Sequence, residues 1–345
     1  MPFSVSLKMS NQSRRRRAIV SAFVESFVES SVRLLLAVSL GFLVSEPALA
    51  QDVDAHAVAG DPVVVLIPGF FNTAIPGELK LSEGYIPYFS RKIIDTVRAR
   101  ATVAVVDTLL PTGTLETNGV LLEKFLSATV ARYPGRKFIA IAHSAGGLYL
   151  MRALTLRPDL PFKTVVTIAT PYTGVEFIDK LADNIPGLDA LAHYLHLDIL
   201  REFRRDNMAS ILGRVSVPDH IRWISIAGYQ PSCFLWTCGE SSHLSWLLTV
   251  AQQLMEHESD GIVTVDSALG RGAAIQSRSG RPLHLEPWAD FIVPLEHWEI
   301  VQDYRFFRSL GVIDVGNVRD LQEQVFNELL DRLGPVELLA ERTKL

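Results

Sequence analysis

Strands alternating with helices, each strand a short apolar run, predict an α/β fold with a mostly parallel sheet flanked by helices. Three observations carry that expectation. Val63–Ile67, Phe138–His143 and Thr164–Ala169 are too short for helices and almost wholly apolar or β-branched, as strands covered on both faces must be. Between them, Tyr88, Phe89, Ile93, Ile94 and Val97, and then residues 116–133, follow helical spacing. The 345 residues, 48% hydrophobic and 21% charged, suffice for one large core or two modest ones. A net charge of −5 gives no argument for nucleic acid as a partner.

Residues 1–50 form an address rather than a fold. Arg14 to Arg17 supply a positive start, Leu34 to Val44 an apolar stretch, and Ala48-Leu49-Ala50 a small-x-small cleavage site. The apolar stretch is short for a membrane span, although an uncleaved anchor is the alternative. Cleavage after Ala50 would leave residues 51–345, with 27 of the 33 basic and 35 of the 38 acidic residues, a net of −8. The expected location is the periplasm or the outside of the cell.

In the mature part, Val63–Ile67 ends in Pro68-Gly69-Phe70. A strand followed by a glycine turn, early in such a sheet, is a place to build an oxyanion hole. The Phe70 N–H can point at developing negative charge, with the Ala145 N–H as the second donor. Pro-Gly simply ending a strand is the plainer alternative. After a helix and the strand 102–107, Phe138–His143 runs into His143-Ser144-Ala145-Gly146-Gly147, and helical spacing resumes at Leu148, Leu150, Met151 and Leu154. A buried strand turning sharply into a helix exposes the hydroxyl of Ser144 at the apex, as a nucleophile requires. Small residues are needed two places either side, and Ala142 and Gly146 provide them. A Ser/Gly turn that merely caps a helix is the bland reading.

From 175 to 218 the alternation gives way to helices. Leu191, Leu195, Ile199 and Phe203 recur every four residues and form an apolar stripe. The segment is either a lid with its apolar face towards a greasy substrate or ordinary core. His193 and His196 lie on it without the carboxylates or cysteines of a metal site, so they are expected at the surface. A strand at 222–228 leads to Cys233 and Cys238, the only cysteines, which an exported chain is expected to join as a disulfide stapling a loop.

A serine nucleophile on this architecture needs an acid after a later strand and a histidine after the last, in the order Ser, acid, His. Asp260, followed by Gly261 in a turn, fits the acid; Asp266 and Asp290 compete. His297 follows the strand-like Ala289–Val293 and stands at the start of an expected helix, so it is the best placed of nine histidines. His143 would point away from the serine as a packing residue. His243, His257 and His284 lack a strand end.

These motifs, Val-Leu-Ile-Pro-Gly-Phe70, Ala-His-Ser-Ala-Gly-Gly147, Ala-Thr-Pro-Tyr-Thr-Gly174, Ser-Asp-Gly-Ile-Val263 and Glu-His-Trp-Glu299, together resemble the α/β-hydrolase superfamily, and within it bacterial lipases and esterases. The chain departs from the pattern at Pro68, where such lipases often have His, and at Ala142, where the elbow usually has Gly. The resemblance implies an acyl-ester hydrolase with Ser144, Asp260 and His297 as triad and Phe70 and Ala145 as oxyanion donors. It implies an acyl-ester or lipid substrate, transient contact of the lid with a lipid surface, no cofactor and no assigned metal. An acyltransferase or thioesterase on the same residues is the nearest rival. A non-catalytic envelope protein that binds an acyl chain or a partner comes from a different class.

Overall fold

The computed structural model describes residues 62–70, 88–184, 198–231, 255–302 and 318–338, with single positions at 190, 193 and 252. The expected leader 1–50, Leu191, Leu195, His196, Cys233, Cys238 and His243 lie outside the described residues. No described helix is long and apolar enough to cross a membrane.

The chain order is β1 (Val63–Ile67), α1 (Arg91–Arg98), β2 (Thr102–Val105), α2 (Leu115–Arg132), β3 (Phe138–His143), α3 (Gly146–Leu156) and β4 (Phe162–Ile168). Then follow α4 (Glu176–Asn184), α5 (Ile199–Glu202), α6 (Arg205–Leu212), β5 (Ser216–Val217) and β6 (Arg222–Ile226). Last come α7 (Val265–Ala268), β7 (Gln276–Ser277), β8 (Leu285–Pro287) and α8 (Val318–Leu338). Six strands form one sheet in the order β2-β1-β3-β4-β6-β8, every neighbouring pair parallel. β5 and β7 pair separately.

Alternate residues of each strand point to opposite faces, and both faces are covered. Val63, Val65, Ile67, Ala140, Ala142 and Val165 pack with Leu122 and Leu126 of α2 and Leu150, Met151 and Leu154 of α3. Val64, Leu66, Ile139, Ile141, Val166 and Ile168 pack with Ile93 and Val97 of α1 and Phe326, Leu329 and Leu330 of α8. That two-sided burial is why the strand sequences are apolar without alternation.

The strand order reverses between β1 and β3. The connection from β1 leads to β2 on one side, and the chain then returns to place β3 on the other. In such sheets the crevice beyond the carboxyl ends of the two strands flanking the reversal is where ligands bind. Gly69 leaves β1 there and Ser144 leaves β3.

Two expectations need correction. The last strand of the sheet is β8, three residues at Leu285–Pro287, and not 289–293. A turn with the Phe291 N–H on the Trp288 carbonyl breaks that run, and Val293 adds a single bridge to Gly228. Nor does a helix begin at Leu295. Helix-type bonds form at Ile300 to Glu296 and Gln302 to Trp298, but the described residues 295–302 are a turn and not a helix. The Val301 carbonyl accepts from the Ser90 N–H, and those of Glu299 and Gln302 accept from Gln322 Nε2. The turn is thus tied to α8 and to the start of α1.

Candidate active site

Ser144 sits between β3 and α3 with φ of 55°. A non-glycine residue in the left-handed region costs about 1–2 kcal/mol, so its neighbours must hold it there. Its N–H donates to the Ile168 carbonyl at 2.9 Å, and its carbonyl accepts from Thr170 Oγ1 at 2.8 Å and from the Gly147 N–H at 3.2 Å. Both partners of the β4 end come from a second strained turn, where Ala169 has φ of 54°.

The elbow works only because α3 and the end of β1 come very close. A methyl group on Gly146 would lie 2.6 Å from the Pro68 carbonyl oxygen and 2.7 Å from that of Ile67. One on Gly69 would lie 2.7 Å from Ser144 Cβ. Main chain cannot yield as a flexible side chain would, so glycine is required at both positions. Phe70 follows Gly69 directly in the chain. Ala145 lies immediately after Ser144, in helical conformation at the head of α3.

Three side chains from distant parts of the chain meet here. Ser144 Oγ is 2.9 Å from His297 Nε2, and His297 Nδ1 is 2.8 Å from Asp260 Oδ2. Asp260 is wholly buried, His297 3% exposed and Ser144 7% exposed. A carboxylate only accepts, so Nδ1 carries the imidazole proton and Nε2 presents its lone pair to the hydroxyl. The buried carboxylate is satisfied besides by the N–H groups of Ile262 at 3.0 Å and Val263 at 2.8 Å, both on Oδ1. The His297 N–H donates to the Asp260 carbonyl at 2.9 Å, locking the acid and histidine turns together. Gln230, just beyond β6, joins the same two turns: its N–H donates to the Ser259 carbonyl and its side chain to that of Pro294.

The rival acids lie elsewhere. Asp266 is an exposed partner of Arg271, and Asp290 is an exposed partner of Arg332. His193 is exposed and bonded to Asp198, and His257 bonds Glu176. No group of three or more His, Cys, Asp or Glu among the described residues is placed to hold a metal ion. Of the apolar stripe, Ile199 and Phe203 are packed in the core beneath the sheet's α2–α3 face. Phe203 also meets Phe70 edge to face at 5.9 Å.

Three residues that matter to this geometry went unread in the sequence. Thr170 anchors the serine carbonyl, Gln322 ties down the histidine turn, and Tyr88 bonds His143. Tyr88 carried only the signal of an apolar helical position. Glu299, beside the histidine turn, is buried, and burial pushes its carboxyl up to about 8.

No protein-family model matches the sequence, and no curated protein does either. Solved structures do match. The mature lipase BlEst2 of Bacillus licheniformis superposes with a TM-score of 0.51 at 20% identity, over 75% of this chain and 95% of its own. The metagenomic carboxyl esterase MGS0156 gives 0.52 at 16% identity, over 80% of this chain and 76% of its own. The Staphylococcus hyicus lipase gives 0.52 at 12% identity, over 84% and 99%. The fold is that of the α/β-hydrolases. At such identities the likeness speaks for the hydrolase fold alone, and chemistry has to be argued from the site.

Proposed function

We propose that this chain is an exported serine hydrolase of carboxylic esters, acting on lipid-like acyl esters through an acyl-enzyme on Ser144. The observation that carries this reading is the unbroken row from Ser144 Oγ through both nitrogens of His297 to Asp260, at 2.9 Å and 2.8 Å. In this reading His297 takes the hydroxyl proton as Oγ attacks the acyl carbonyl, and Asp260 holds the imidazole and offsets the charge it gains. The Phe70 and Ala145 N–H groups receive the oxyanion; losing one such donor costs about 3 kcal/mol of transition-state stabilisation. His297 then gives its proton to the leaving alkoxide. Water, activated by the same imidazole, releases the acid and restores Ser144.

Support for a greasy substrate comes from Phe70, half-buried next to Gly69 and packed edge to face on the core residue Phe203. We assign the 175–218 insertion as a lid that contacts lipid surfaces transiently, anchored to the core by Ile199 and Phe203. Support for export comes from the arginine-rich start, apolar stretch and Ala48-Leu49-Ala50 of the first fifty residues.

Turnover of p-nitrophenyl esters from acetate to palmitate tests the reading. The mature chain should hydrolyse them, and Ser144→Ala should leave only background. Equal rates for wild type and variant would remove Ser144 from its role.

A further inference from the structure

His143 precedes the serine, and its side chain is wholly buried. Its Nδ1 is 2.7 Å from the hydroxyl of Tyr88. Its ring lies against that of His297, centroids 4.8 Å apart and planes tilted by 43°. Its Nε2 has no hydrogen-bond partner of normal geometry among the described residues, although the His297 main chain lies beside it. Burial, aided by His297, drives the His143 pKa well below the usual range, so the ring stays neutral. Burial likewise raises Tyr88 above its ordinary range, partly offset by the Gly69 amide, so the phenol keeps its proton. The Gly69 amide already donates to the phenol oxygen, and the His297 main-chain group beside the ring acts as an acceptor for a ring N–H; we therefore take the phenol as donor to His143 Nδ1, with the His143 proton on Nε2.

Resting on the hydrolase reading, we infer that Tyr88 and His143 form a positioning pair for the base: a neutral imidazole, fixed in one tautomer by a buried phenol, against which the His297 ring is seated. The base must hold one orientation while its charge changes. During acylation His297 becomes an imidazolium, and the ring at its side is one that does not carry a competing charge. Tyr88 is also packed against the β1 turn: a methyl on Gly69 would lie 3.0 Å from the Tyr88 hydroxyl. One buried hydroxyl thus touches both the β1 turn that bears Phe70 and, through His143, the base. Neither residue touches the reacting atoms, so they act by aim and not by chemistry. A misaimed base loses rate in the chemical step, not in binding.

The test uses the mature chain with p-nitrophenyl butyrate, an aliquot of each preparation being titrated with a fluorophosphonate so that the rates of the untreated remainder are counted per reactive serine. Tyr88→Phe keeps the ring and removes only the hydroxyl. It should lower kcat about tenfold, the value of one buried hydrogen bond, with KM within about twofold. Tyr88→Phe made in a His143→Phe background should lose nothing further, because the pair acts as a unit. A Tyr88→Phe enzyme with unchanged kcat per titrated serine overturns the inference, as do losses that simply add in the double variant. If His143→Phe does not fold, Tyr88→Phe alone decides. Failure of the wild type to react with the fluorophosphonate at all would instead sink the hydrolase reading, so the two failures are distinct.

Discussion

At the scale of single residues, the demanding feature is Ser144 held at φ 55°. Thr170 does much of the holding, through the bond from its hydroxyl to the Ser144 carbonyl at 2.8 Å. Thr170→Val keeps the shape and removes the donor. It should cost about 1–3 kcal/mol by urea denaturation, since a buried carbonyl loses a partner, and should lower kcat more than it raises KM. Asp260→Asn is the sharper probe of the base. An amide can donate to Nδ1, so the imidazole proton moves to Nε2 and the lone pair that should face Ser144 is lost. We expect kcat for p-nitrophenyl butyrate to fall by about 10⁴-fold with an unchanged circular dichroism spectrum. A fall of less than tenfold would show that Asp260 is not the orienting acid.

At the scale of elements, the site is a consequence of how closely β1, β3 and α3 approach. Gly146→Ala sets a methyl 2.6 Å from a main-chain oxygen of β1's exit, which cannot swing aside. Thermal unfolding should show a loss of about 1–3 kcal/mol, and ester turnover should fall with it. The strands were legible in the sequence because burial on both faces leaves an unmistakable apolar run. Helices α2 and α3 were legible within one or two residues for the complementary reason. The strand before His297 was not: β8 is three residues long and only partly buried, so it lacks the apolar signature, whereas Phe291 and Val293 are buried in a bend that imitates one. His297 could still be placed, because its position follows from chain order and not from that strand. Tyr88, Thr170 and Gln322 were beyond reach for a different reason. Their partners lie 55, 26 and 20–23 residues away, and nothing local marks such pairings.

At the scale of the molecule, a pH dependence follows from Glu299. Burial raises its carboxyl to about 8, against about 4.3 for an unfolded Glu. The folded chain therefore keeps a proton that the unfolded chain has lost between about pH 5 and 8, and stability falls as pH rises through that window. Urea midpoints should be lower at pH 8.5 than at pH 5.5, and Glu299→Gln should narrow the gap; an unaltered gap would contradict the assignment. Export is tested at this scale too. Protein recovered from the periplasm or medium of a bacterial host should begin at Gln51, read by N-terminal sequencing.

Covalent trapping asks most directly whether Ser144 is a nucleophile. Mature protein treated with a fluorophosphonate and measured by intact mass should gain a single adduct, mapped by peptide fragmentation to Ser144 and missing from Ser144→Ala. An adduct on another residue, or none on a protein whose circular dichroism shows it folded, would contradict the account.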